Sequence, residues 1–148
     1  MKYLVLIILL FVVKISDSIS INNNAVYTIE EVNVKVDKWE MMIYKIMKHE
    51  TANFTDFIGD SGKAVGYMHM WKVYVDDVNN ILDTAKYTYN DRMDSLKCIE
   101  MFNIYQDYWN PEHDIQTALR IHNSGPKGRF NKFAYLTEDY IDKINLKL

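Results

Sequence analysis

From Glu30 to Glu50 the apolar residues recur at helical spacing, and the run closes on a carboxylate that shares their face. Trp39, Ile43, Ile46, Met47 and Glu50 fall on one side of a helix. An apolar stripe of this kind must be buried against other elements, so it commits the chain to helices packed around a core. It also carries Glu50 to the edge of that core. Residues 51–66 hold most of the glycines and read as loop. The chain then passes through Ala64-Val65-Gly66 into the apolar Tyr67-Met68-His69-Met70. A lone carboxyl group on the core side of a helix end, facing a glycine-bearing loop, suits acid/base chemistry. A polar helix end turned to solvent is the plainer alternative.

The rest of the chain is also helical in pattern. Residues 71–85 place Val75, Val78, Ile81, Leu82 and Ala85 on one side. Asp91 or Asp94 starts the next helix, which runs to about Tyr108 through Leu96, Ile99, Phe102 and Tyr105. Asn110-Pro111 reads as a helix start, with Asn as the cap and Pro at the first helical position. That helix carries Ile115, Ala118, Leu119 and His122, and Asn123-Ser124-Gly125-Pro126 ends it. Thr137-Glu138-Asp139 opens the last helix, whose apolar side is Tyr140, Ile141 and Ile144. No alternating strand pattern appears. The fold class expected is mainly α, with five or six helices and room for a small β-hairpin between residues 55 and 70.

With 148 residues, 49% hydrophobic and 25% charged, the chain suits one globular domain with a single core. A formal net charge of −3 gives no basic excess, so nucleic acid is not an expected partner. Residues 1–20 stand apart. Lys2 is followed by the unbroken apolar run Leu4 to Val13 and then by Ser16-Asp17-Ser18. That is the plan of a cleaved secretory signal peptide, and an uncleaved N-terminal anchor is the alternative. Cleavage leaves residues 21–148 secreted or periplasmic, and the anchor makes the N-terminal segment the one contact with membrane. Removal takes two lysines and one aspartate, moving the formal charge from −3 to −4. Cys98 is the single cysteine, so no disulfide forms within the chain. Its place in a helical apolar pattern reads as a buried, inert thiol. His49, His69, His113 and His122 show no metal-ligand spacing, and no cofactor is expected. The sequon Asn53-Phe54-Thr55 falls in the loop beside Glu50, where a glycan would obstruct, and is read as coincidence.

Four segments in order carry a resemblance: Glu50-Thr51, Gly66-Tyr67-Met68-His69, His122-Asn123-Ser124-Gly125, and Thr137 to Ile144. Together they resemble the soluble lytic transglycosylase domain, whose habitual signature is Glu-Ser, Gly-Leu-Met-Gln, Tyr-Asn-x-Gly and a final helix with Thr and Tyr. The pair Gly59-Asp60 is similar to the loop of goose-type lysozymes, which share that fold. The resemblance covers about residues 38 to 145. Thr51 stands where the family has serine, Tyr67 where it has leucine, His69 where it has glutamine, and His122 where it has tyrosine. Trp71 stands where goose-type lysozymes carry a second aspartate.

The resemblance implies a lysozyme-like domain acting as a monomer on peptidoglycan or a related amino-sugar polymer. It implies one catalytic carboxylate. Glu50 protonates the leaving oxygen, then takes the proton of the C6 hydroxyl of N-acetylmuramic acid as that hydroxyl closes onto C1. Ile43, Ile46 and Met47 around Glu50 would keep its carboxyl protonated near neutral pH. Asp60 is the second carboxylate if water is the nucleophile, and otherwise a turn residue. Thr51, Tyr67, Met68, His69 and Asn123 are candidates for substrate contacts. Tyr140 is a candidate to hydrogen-bond Glu50 from the last helix, or else a partly buried core tyrosine. A hydrolase of goose-type or chitinase-like character, and an inactive glycan-binding module, are the alternatives.

Overall fold

A computed structural model describes residues 37–144. The expected signal peptide and the start of the first helix at Glu30 lie outside these residues. Helix α1 spans Lys38–Glu50. Asp37 caps it, accepting from the Trp39 N–H at 2.6 Å. Met42, Ile43, Ile46 and Met47 form its buried face. The helix stops at Thr51, and Ala52, Asn53 and Phe54 follow with φ of 45°, 63° and 64°. Three successive left-handed residues turn the chain back on itself. Thr51 holds the turn together. Its hydroxyl donates to the Met47 carbonyl at 2.6 Å and accepts from the Phe54 N–H at 3.0 Å.

A small antiparallel hairpin comes next, as the sequence allows. Strand β1 (Ile58–Gly59) pairs with β2 (Ala64–Val65), with Ile58 opposite Val65 and Gly59 opposite Ala64. Asp60, Ser61 and Gly62 make the turn in left-handed conformations. Gly66, at φ +87°, must be glycine, because a Cβ there would lie 1.6 Å from the Arg92 carbonyl oxygen. Arg92 is the peg on which this region hangs. It is buried, and its guanidinium donates to the carbonyls of Tyr89 at 2.7 Å and Met70 at 2.9 Å. Its own carbonyl accepts from the Tyr67 N–H at 3.2 Å and from the Cys98 thiol at 2.8 Å. The segment Gly66–Met70 is thereby fixed from both ends.

Helix α2 (Lys72–Ile81) buries Tyr74, Val75 and Val78. It ends before Ala85, which is exposed. Helix α3 (Ser95–Trp109) is capped by Asp94, which accepts from the Leu96 and Lys97 N–H groups at 3.0 and 3.2 Å. Of the two candidate starts, Asp94 is therefore the cap. Asp91 instead closes a capping box with Thr88 in the short 3₁₀ turn Tyr89–Met93. Leu96, expected on the core face, is 60% exposed. It sits in the first turn, before the helix reaches the core.

Helix α4 spans Ile115–Ser124, with Asp114 as its cap accepting from the Thr117 N–H at 2.8 Å. The start expected at Asn110-Pro111 is corrected. Asn110 is buried at the end of α3, and its amide clamps the connection by donating to the Asp114 carbonyl at 2.9 Å and accepting from the Asp114 N–H at 3.2 Å. An asparagine can satisfy backbone at a helix end as readily as at a helix start, and the tertiary connection decided here. Gly125, at φ +73°, ends α4, and Pro126–Arg129 and Asn131–Leu136 continue as 3₁₀ turns. Helix α5 (Glu138–Ile144) brings Tyr140 and Ile144 back onto α1.

The core joins α1, the Met68–Met70 segment, α2, α3 and α4. Met42, Ile46, Met68, Val75, Phe102 and Leu119 are fully buried within it. Side chains of this size each contribute about 1.5–3 kcal/mol on burial. Cys98 is buried among them, and burial pushes its thiol up to about 11. It is the inert thiol that its sequence position suggested. Among the described residues no helix is long and apolar enough to cross a membrane.

Candidate active site

Glu50 ends α1 with its side chain 18% exposed, and three residues from three other segments converge on its carboxylate. From α5, the Tyr140 hydroxyl donates to Oε1 at 2.8 Å. From the loop after β2, His69 Nδ1 lies 3.6 Å from Oε2. From α4, His122 Nε2 lies 3.6 Å from Oε1. The tyrosine contact is a hydrogen bond, whereas the two imidazoles stand just beyond that length. The far nitrogens, His69 Nε2 and His122 Nδ1, are buried without a hydrogen-bond partner among the described residues. An imidazole N–H turned toward Glu50 meets an acceptor, whereas one on the far nitrogen would meet none among the described residues.

Each imidazole is held by its surroundings. The His122 ring packs edge-on to Phe102 at 5.7 Å between centroids and against Tyr140 at 6.3 Å. His69 has φ 43°, a left-handed conformation that a non-glycine residue adopts at a cost. The Gly66 carbonyl, accepting from the His69 N–H, and the bridge between Val65 and Met70 on either side impose it. Gly59 leaves room for the ring, since a Cβ there would lie 3.0 Å from His69 and press the imidazole out by a few tenths of an ångström. The glycine that reads as loop punctuation in the sequence is thus the seat of an imidazole.

These contacts overturn one expectation. Burial is the largest single influence on Glu50 and raises its pKa, as its apolar neighbours suggested. His122, the Tyr140 hydroxyl and His69 together outweigh it, and the carboxyl lies below its ordinary value. The surroundings of Glu50 in the free protein therefore favour its carboxylate form. Tyr140 responds in the opposite sense, raised well above an ordinary tyrosine by burial and by the charge of Glu50.

Glu50 opens onto a cleft of about 900 Å³. Asp60, Met68, His69 and Asn123 line it with Glu50. Asp60 is exposed at the hairpin turn, and Asn123 is exposed near the end of α4. Two expected substrate contacts are not brought there. Thr51 is fully buried, with its hydroxyl committed to backbone. Tyr67 turns away and packs edge-on to Phe57 at 4.9 Å. Met68, His69 and Met70 all line the cleft, and of the four residues Tyr67 alone is turned out of it. His122 was singled out in the sequence only as a departure from a motif, yet it touches the carboxylate. Of the far wall of the cleft, Tyr105 was marked in the sequence by core periodicity and Trp71 as a departure from the goose-type pattern, while Tyr74 and Asp77 gave no sequence signal. Among the described residues no group of three or more His, Cys, Asp or Glu is placed to hold a metal ion.

The described fold is mainly helical with a small hairpin, and Glu50 is among the partly buried carboxylates that line its cleft. Comparison with protein-family models, curated proteins and solved structures finds no match for the chain.

Proposed function

We propose that this chain is a peptidoglycan-cleaving lytic transglycosylase with a lysozyme-like domain. It acts on the β-1,4 bond between N-acetylmuramic acid and N-acetylglucosamine, with Glu50 as acid and then base. One observation carries the reading. The four segments that resemble the transglycosylase signature, far apart in sequence, each supply a residue to one carboxylate or its cleft: Glu50 itself, His69, His122 and Tyr140. A chain resembling the family by chance has no reason to bring those residues together.

The chemistry follows from the surroundings of Glu50. Saccharide filling the cleft would expel water and strengthen the burial that already pushes the carboxyl up. That favours uptake of the proton that Glu50 then gives to the leaving oxygen. The charge left behind returns to the environment that stabilises it, among Tyr140, His122 and His69. As a carboxylate, Glu50 then receives the C6 hydroxyl proton while that oxygen bonds to C1. The proton balance closes on one residue and consumes no water.

The test is Glu50→Gln, assayed for release of muropeptides from purified cell wall. Amide for carboxyl removes the transferable proton, and a loss of at least about 10²-fold is expected with an unchanged melting profile. Near wild-type cleavage by this variant would exclude Glu50 as the acid. Binding to the wall without cleavage by the wild type would favour a glycan-binding module instead.

A further inference from the structure

The wall of the cleft continues away from Glu50 through a row of rings. The His122 ring lies 6.4 Å from that of Tyr74, and Tyr74 lies 4.2 Å from Tyr105 between centroids. At the end of the row the Tyr105 hydroxyl donates to Asp77 Oδ2 at 3.2 Å. Asp77 is half-buried and lines the cleft, and among the described residues no cation forms an ion pair with it. The Tyr74 hydroxyl lies on the same wall, more than nine-tenths buried and without a hydrogen-bond partner among the described residues. Trp71, 44% exposed, lines the same cleft, and the Lys63 ammonium stands 5.4 Å over its ring.

Asp77 keeps part of its surface in the cleft with no counter-charge among the described residues, and the buried Tyr74 hydroxyl beside it on the wall lacks the partner that such a group ordinarily has. A ligand that supplies both needs positive charge and several hydrogens to donate. A sugar hydroxyl would donate one hydrogen and leave the charge uncompensated. An ammonium group would donate to Asp77 and to the Tyr74 oxygen, and the tyrosine faces of the wall attract it further. Resting on the peptidoglycan reading above, we propose that Asp77 and Tyr74 form a subsite for a primary ammonium group, the free amine of a peptide stem on the glycan strand. The site would make cleavage selective for strands whose stems carry that amine.

The experiment compares wild type and Asp77→Asn on two walls: purified peptidoglycan with free stem amines, and the same preparation after N-acetylation. Initial rates at limiting substrate should fall about tenfold or more for wild type on the acetylated wall, the scale of one charge-assisted hydrogen bond. Asp77→Asn should cleave both walls at one reduced rate. A wild type indifferent to acetylation overturns the subsite and leaves the transglycosylase reading standing. An Asp77→Asn variant slowed on both walls yet still discriminating between them overturns it too, and assigns Asp77 to hydroxyl binding or to packing. A wild type inert on both walls overturns the parent reading and the subsite with it. The wild-type comparison needs no variant, so poor folding of Asp77→Asn leaves the proposal open to refutation.

Discussion

Tyr140 donates a 2.8 Å hydrogen bond to Glu50 across ninety residues of sequence, tying the last helix to the carboxylate that ends the first. The bond does two things at once. It satisfies a buried phenol that would otherwise lack a partner. It also helps hold Glu50 ionised against the burial that disfavours its charge.

The influences on Glu50 predict an order. His122 lowers its pKa most, Tyr140 next and His69 least. His122→Gln should therefore raise the Glu50 midpoint most, Tyr140→Phe less and His69→Gln least, with burial left to push upward in each. Carboxyl carbon chemical shifts followed through a pH titration give the midpoint without any activity assay. An unchanged midpoint in His122→Gln would refute the account of the site. In an acid-then-base route, the same variants should move the alkaline limb of the activity profile to higher pH in the same order.

Asp60→Asn should cost at most a few-fold in rate. Asp60 sits exposed on a left-handed turn at the cleft edge, and the proposed route asks no second carboxylate to hold water. Product mass gives an independent reading, because an anhydro end is lighter than a reducing end by one water. Reducing ends together with a loss of about 10²–10⁴-fold would point instead to inverting hydrolysis with Asp60 as base.

Asp91 predicts acid sensitivity. Lys97 first, then the Thr88 backbone N–H, bring its carboxyl down to about 2 from 3.8. A depressed folded value stabilises the fold above the unfolded value, and the contribution disappears as pH falls from about 3.8 toward 2. Asp91→Asn should thus lower the melting temperature at pH 6 and leave it nearly unchanged at pH 2. An equal drop at both would assign the effect to lost capping geometry rather than to charge.

Two left-handed glycines should respond differently to alanine. At Gly62, φ +88°, a Cβ meets nothing within 4 Å, so Gly62→Ala costs only the left-handed strain, about 1–2 kcal/mol. At Gly66 the added carbon would collide with the Arg92 carbonyl and lever the His69 segment off its anchor. Gly66→Ala should cost more than about 3 kcal/mol in urea unfolding. Equal costs at the two sites would mean that the approach of Arg92 is looser than the structure shows.

The sequence by itself determined that the chain is helical and most of the face each helix buries, Leu96 and Ala85 excepted, because apolar spacing is a local property. The stripe of α1 is visible at Ile43, Ile46 and Met47, and with it the inward-facing end at Glu50. The breaks at Gly125-Pro126 and across residues 51–66 are equally local, since glycine and proline act on their own backbone. Asn110 marks the limit of that reading. Its amide serves a helix start or a helix end alike, and only the path between α3 and α4 chose the latter. The ionisation of Glu50 was likewise beyond sequence. Apolar neighbours on one helix suggested a raised value, but the opposing groups come from α4, α5 and the loop after β2. Tertiary structure alone brought His122 and Tyr140 to the carboxylate and carried Thr51 and Tyr67 away from the cleft. It also joined Tyr105, known from the sequence only as a core position, to Tyr74 and Asp77 in one wall. Electrostatics depends on distance in space, and the pattern of one helix does not record what the other helices deliver to its end.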